Sequence, residues 1–202
     1  MSKRKPMAAA LLSLVLAMSV AARAASQPSE TLKNLQAAYN GESNAHAKYL
    51  EFAKQAEKEG YGRVGSLFRA AAAAEQIHRT CEANVVKEMG ATPEARINLP
   101  PIKSTEQNLE ESANKGEAYE RDTMYPRFIR QARKDGSKAA EQCFEWARAA
   151  EAEHFKLFKA AAANLGQMTG GPESYYVCKE GGYTMAKLDP AKCPGGKYEE
   201  VK

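Results

Sequence analysis

Two short stretches of this sequence, Glu75-Gln76-Ile77-His78 and Glu151-Ala152-Glu153-His154, set a carboxylate and an imidazole three residues apart. On an α-helix that spacing puts both side chains on one face, one turn apart. A lone Glu-x-x-His is ordinarily a solvated pair, but these two recur within an internal repeat. Phe52, Gln55, Gly60, Phe68, Glu75 and His78 return at an offset of 76 as Phe128, Gln131, Gly136, Phe144, Glu151 and His154, whereas Gly41-Glu42 returns at 75 as Gly116-Glu117. Each Glu-x-x-His thus has a partner segment that carries an inward glutamate. One Glu from each of two helices, with Glu-x-x-His from each of two others, is the donor set of a bundle di-metal carboxylate site. Oxygen-rich ligation with one imidazole per metal suits Fe or Mn, whereas structural zinc favours thiolates in a closed tetrahedron. Without cations, each inward carboxylate would cost roughly several kcal/mol to ionise.

The change of offset from 75 to 76 along the chain means that the third segment has gained one residue between Glu117 and Phe128. A single inserted residue is commonly absorbed in a helix as a π-bulge, a feature that gathers at functional sites. The shift brings Glu120, one turn beyond Glu117, toward the same face.

These side chains need helices to hold them. From Leu32 to Leu165 the chain is rich in Ala, Glu, Lys and Leu, and its core-type residues step by three and four. On the first segment the stripe runs Leu32, Leu35, Tyr39, Glu42, His46, Tyr49, Ala53, Ala56; on the second it runs Val64, Leu67, Phe68, Ala71, Glu75, His78, Val85, Met89. Breaks fall at Glu59-Gly60, between Met89 and Ile102 with Pro93, Pro100 and Pro101, and at Asp135-Gly136. Short turns therefore join the first helix to the second and the third to the fourth, and the longer middle connection crosses the bundle. The fold class is all-α, a four-helix bundle with one long crossover. Gly41 and Gly116 sit inside helices, where close helix approach would explain them. His46 is expected to be a hydrogen-bonded histidine of the interior and not a further ligand. Cys81 and Cys143 occupy the repeat positions of Leu157 and Leu67 and read as small core residues.

Gly41-Glu42-Ser43, Tyr49, Glu75-Gln76-Ile77-His78, Gly116-Glu117-Ala118-Tyr119-Glu120, Met124-Tyr125-Pro126 and Glu151-Ala152-Glu153-His154 together closely resemble the rubrerythrins. The resemblance implies a ferritin-like bundle over residues 25–168 with two Fe ions, or Mn, per chain. The implied ligands are Glu42, Glu75, His78, Glu117, Glu120, Glu151 and His154, with Tyr49 and Tyr125 as hydrogen-bond donors to ligand carboxylates. It implies reduction of hydrogen peroxide, a homodimer, and electron delivery through a C-terminal rubredoxin-like domain. Residues 172–202 depart from that pattern. The two Cys-x-x-Cys knuckles of a rubredoxin are represented by Cys178-Lys179-Glu180-Gly181 and Cys193-Pro194-Gly195-Gly196, each with glycine in place of its second cysteine. Two thiolates cannot complete a four-sulfur iron site, so no rubredoxin-type iron is expected. A disulfide between Cys178 and Cys193 is expected instead, and an unidentified donor protein must supply electrons.

The chain begins with Lys3, Arg4 and Lys5, an apolar run from Met7 to Ala22, and Ala22-Arg23-Ala24, which together read as a secretory signal over residues 1–24. Export, in a bacterium to the periplasm, follows as an expectation. The remainder holds 25 Lys and Arg against 25 Asp and Glu, so the overall charge of +4 belongs to the leader, and nothing argues for nucleic acid or a membrane as partner. The sequence points to a periplasmic di-iron peroxidase. A ferritin-like ferroxidase that sequesters iron is the alternative, and a dimanganese catalase a third reading.

Overall fold

The structure is a computed structural model that describes residues 28–193 and 195–202, so the expected leader over residues 1–24 lies outside the described residues. Four long helices form the bundle: α1 (Glu30–Lys58), α2 (Gly62–Glu88), a third helix, and α5 (Lys138–Ala163). The third begins as α3 (Thr105–Glu111), passes through π-helical stretches at Ser112–Glu117 and Glu120–Met124, and ends as α4 (Tyr125–Lys134). The inserted residue is thus absorbed by local widening of the helix, in the segment that carries Glu117 and Glu120.

Local chemistry sets the helix ends. Ser29 Oγ accepts from Leu32 N at 3.1 Å and Ser104 Oγ from Gln107 N at 3.3 Å, satisfying amides that have no partner inside α1 and α3. The turns after α1 and α4 are built alike. Gly60 and Gly136 take φ of 86° and 71°, and Tyr61 N and Ser137 N reach back to Ala56 O and Ala132 O at 2.8 and 2.9 Å. This is a Schellman closure, and only glycine adopts its left-handed residue without cost.

The crossover is strapped to α1 by a ladder of matched periods. Gln36, Asn40 and Asn44 are four residues apart on α1, about 6 Å per step, while alternate residues of an extended chain advance by about 6.6 Å. Glu94 N, Arg96 N and Asn98 N therefore donate in turn to the side-chain oxygens of Gln36, Asn40 and Asn44, at 3.2, 2.8 and 2.7 Å.

The repeat is written into the core. Tyr49, Phe52 and Phe68 pack with centroid separations of 6.3, 5.7 and 5.4 Å, and their equivalents Tyr125, Phe128 and Phe144 pack at 6.3, 6.0 and 5.4 Å. The two triads belong to separate apolar clusters. Alanines at many remaining buried positions let the helices close around these rings.

Three sequence expectations change. Tyr39 and His46 are half-buried, because they flank the buried stripe of Leu35, Ala38, Glu42, Ala45, Tyr49 and Phe52, and Met89 is exposed at the end of α2. Cys81 and Cys143 are not separate core residues but a disulfide that staples α2 to α5. Close helix approach does not account for the helical glycines either. A Cβ on Gly41 would meet nothing within 4 Å, and one on Gly116 would make only ordinary contacts, with Tyr49 Oη at 3.8 Å and Lys48 Nζ at 3.9 Å.

The C-terminal module is a three-stranded antiparallel sheet in the order β2-β1-β3, with β1 Tyr175–Cys178, β2 Thr184–Met185 and β3 Tyr198–Val201. Strand alternation divides β1: Tyr175 and Val177 enter the bundle's apolar core, while Cys178 packs with Met185 and Cys193 inside the module. Cys178 and Cys193 are joined by a disulfide. The linker docks on the α1–α2 turn, where Gly62 N donates to Gly170 O at 3.1 Å; a Cβ on Gly62 would lie 2.2 Å from that oxygen.

Because Gly41 has open space and an ordinary helical backbone, Gly41→Ala should stabilise the metal-free protein by up to about 1 kcal/mol. Urea unfolding followed by circular dichroism measures this, and a clear loss of stability would restore the close-approach explanation.

Candidate metal centre

Midway along the bundle, Glu42 from α1, Glu75 and His78 from α2, Glu117 from the third helix, and Glu151 and His154 from α5 converge, all at most 2% exposed. Their donor atoms fall into two groups, Glu42, Glu75, His78 and Glu151, and Glu75, Glu117, Glu151 and His154, each within 4.8 Å of one another. Glu75 and Glu151 belong to both. The arrangement is that of two cation positions, bridged by Glu75 and Glu151 and each completed by one further glutamate and one histidine.

Both imidazoles are held from behind by the C-terminal module. His78 Nε2 lies 3.1 Å from Gly181 O, and a carbonyl can only accept, so Nε2 carries the proton. His154 Nε2 lies 2.9 Å from Thr184 Oγ1, whose own proton is directed to Gly182 O at 3.4 Å, so this ring also donates through Nε2. Each Nδ1 is thereby left to face the carboxylates: His78 Nδ1 is 2.9 Å from Glu75 and 3.2 Å from Glu151, and His154 Nδ1 is 2.8 Å from Glu151 and 3.5 Å from Glu75. Such backing of a ligand histidine fixes its ring and tautomer. The approach requires glycine at 182, with φ of 76°, because a Cβ there would stand 2.5 Å from His78 Nε2.

The terminal glutamates are fixed by tyrosines from the opposite half of the bundle, Tyr49 Oη donating to Glu117 and Tyr125 Oη to Glu42. Burial, and then the neighbouring carboxylate charges, push both phenols well above their ordinary pKa, so they stay protonated as donors. Burial works against the Glu42 and Glu117 charges, but the nearby imidazoles of His78 and His154 and the hydrogen bonds from the tyrosines outweigh it and leave both below the usual value. Glu75 goes the other way, pushed well up by burial and by Glu151 and Glu42. Glu151 is also pushed well up, by burial first. Burial opposes charge on the imidazoles too, yet the surrounding carboxylates hold His78 well above its ordinary value and His154 above it. Protons therefore bind where cations would otherwise sit. Glu42 Oε2, Glu117 Oε2 and Glu151 Oε1 are buried without a hydrogen-bond partner, and such orphaned anionic oxygens around a shared centre fit two divalent cations.

Glu120 is half-buried and stands outside both donor groups. It lines a surface cavity of about 380 Å³ together with Asn40, Gly41, Asn44, Lys48 and Arg96. At the rim of the cluster, burial and the charges of Glu42, Glu117 and Glu151 raise its pKa well above the ordinary value. His46 is no part of either group; its Nδ1 lies 2.7 Å from Ala72 O.

Glu82 was not among the sequence candidates. Its carboxyl is fully buried 3.4 Å from Tyr125 Oη, and burial and Glu42 push its pKa well up. Its place seven residues after Glu75 and four after His78 put it on the inward face, a signal present in the periodicity. Gly181 and Thr184 carried no comparable signal, because only the folded module brings them to the histidines.

Fold and donor set together define a ferritin-like di-metal carboxylate protein. The chain belongs to the rubrerythrin family, whose model matches residues 33–162, and its site is a di-iron site. Nigerythrin of Nitratidesulfovibrio vulgaris is 40% identical over 165 residues, covering 81% of this chain and 80% of that protein. Rubrerythrin-2 of Clostridium acetobutylicum is 34% identical over 170 residues, covering 79% of this chain and 88% of that one. The solved all-ferrous, fully reduced nigerythrin superposes with a TM-score of 0.73 at 39% identity, over 84% of this chain and 83% of its own. A Desulfovibrio desulfuricans bacterioferritin shares the fold alone, with a TM-score of 0.65 at 18% identity over 70% of this chain and 88% of its own.

If the module orients His154 through Thr184, Thr184→Val keeps the shape and loses the acceptor. Iron affinity should then fall by about ten- to a hundredfold. Competition with a chromophoric chelator measures this, and unchanged affinity would show that Thr184 does not support the centre.

Proposed function

We propose that the protein is a non-haem di-iron peroxidase that reduces hydrogen peroxide to water, exported to the bacterial periplasm and supplied with electrons by an external donor protein, and that it works as a homodimer. The observation that carries this reading is the placement of Glu120 on the π-helical stretch, between the ligand cluster and a polar cavity open to solvent.

Reduction of one peroxide consumes two electrons and two protons and yields two waters; an iron pair, when bound, supplies the electrons. The protein supplies the rest. Lys48, Arg96, Asn40 and Asn44 make the cavity a hydrogen-bonding approach for a small polar molecule. The Glu120 carboxyl at the rim can carry a proton from solvent to a departing oxygen. Tyr49 and Tyr125 keep Glu117 and Glu42 in place through the cycle, and Nε2 of each histidine remains anchored to the module. Residues 1–24 support the export reading by their basic start and apolar run.

Iron sequestration is favoured by one feature, the module's sulfurs being bonded to each other and so unable to hold an iron for electron input. Glu120 separates the two readings, because four glutamates and two histidines already suffice to bind two irons. Glu120→Ala should keep most bound iron yet slow oxidation of the diferrous protein by peroxide by on the order of a hundredfold. Stopped-flow absorbance on matched, iron-loaded proteins reads this. Oxidation as fast as in the wild type would favour iron capture.

A further inference from the structure

We propose that Cys81 and Cys143 form a redox-active pair that stores two electrons for the metal centre. This rests on the peroxidase reading and identifies the electron input that the module cannot provide.

Three observations carry it. The first is position: Cys81 follows His78 by one turn of α2, about 4.5 Å along the helix axis, and its partner Cys143 lies on α5, the helix of the other Glu-x-x-His. The disulfide therefore joins the two helices that hold both imidazoles and both bridging glutamates. The second is access. Both cysteines line a cavity of about 400 Å³ whose wall also includes Ile77, His78, Trp146 and Gly181. Cys143 is buried, but Cys81 is only half-buried and lines the cavity, so an attacking thiolate can approach from that side. A disulfide serving only as a core staple needs no such opening. The third is contrast: Cys178 and Cys193, at no more than 1% exposure, are sealed within the module.

The chemistry balances with an external dithiol as reductant. One of its thiolates attacks the Cys81 sulfur, breaking the Cys81–Cys143 bond and releasing the Cys143 thiolate, which takes a proton. Its second thiolate then attacks the mixed disulfide, freeing Cys81, and the donor leaves oxidised. When peroxide has oxidised the iron pair, the two thiols re-form their disulfide. They return two electrons to the irons and release two protons, which are consumed in making water. The net change is one dithiol and one peroxide converted to one disulfide and two waters.

The wild-type protein tests this without substitution. One sample is loaded anaerobically with ferrous iron and reduced with dithiothreitol, which is then removed; a second is loaded with its disulfides intact. Each is titrated with hydrogen peroxide while iron absorbance is followed, and each cysteine is mapped by alkylation and mass spectrometry. The reduced sample should consume about two equivalents against about one, a twofold difference set by the electrons a dithiol holds. Cys81 and Cys143 should become protected from alkylation in the iron-loaded protein and remain reactive over the same time in iron-free protein. Thiols that stay reactive while the irons become ferric, or that oxidise equally fast without iron, would overturn the proposal and leave the peroxidase reading standing. Irons that peroxide does not oxidise would remove both.

Discussion

The structure depends on like charges confined in a dry space. Four glutamates and two histidines, none more than 2% exposed, meet inside the bundle, and two carboxylates about 4 Å apart repel by roughly 4 kcal/mol even at an effective dielectric constant of about 20. Either protons or cations must occupy the centre. The metal-free protein takes the first course, with Glu75 and Glu151 pushed toward neutrality and the imidazoles toward charge. Two divalent ions would displace those protons and partner the orphaned oxygens. The surrounding structure holds these groups in place: repeated aromatic triads on either side, tyrosines that bind the terminal glutamates from the opposite half, and a crossover tied to α1.

The C-terminal module is part of this restraint. Its sulfurs, Cys178 and Cys193, are bonded to each other. It reaches the centre, the Gly181 carbonyl and the Thr184 hydroxyl fixing the two ligand histidines and Gly182 leaving room for the contact. The module therefore orients ligands of the centre through its own backbone and side-chain contacts.

Much of this was legible in the sequence because it rests on period and repeat. The paired Glu-x-x-His motifs, Glu42, Glu117 and the extra residue near Glu120 declared the bundle, its pseudo-symmetry and the widened third helix. What escaped was long-range. Cys81 and Cys143 map by the repeat onto Leu157 and Leu67 and were read only as small core residues; that they meet and bond appears only once α2 and α5 are packed together. Gly41 was read as a contact between helices, although it faces open space beside the Glu120 cavity. Glu82 was hidden because a single buried acid with no repeat partner looks like a surface residue until the helix is placed.

The central claim is that six side chains from four helices hold two irons, with Glu75 and Glu151 shared between them. Anomalous diffraction at the iron edge from crystals of the iron-loaded protein addresses it directly. The account predicts two iron peaks per chain between Glu75 and Glu151, one beside His78 Nδ1 and the other beside His154 Nδ1. A single peak, or peaks outside this cluster, would contradict it.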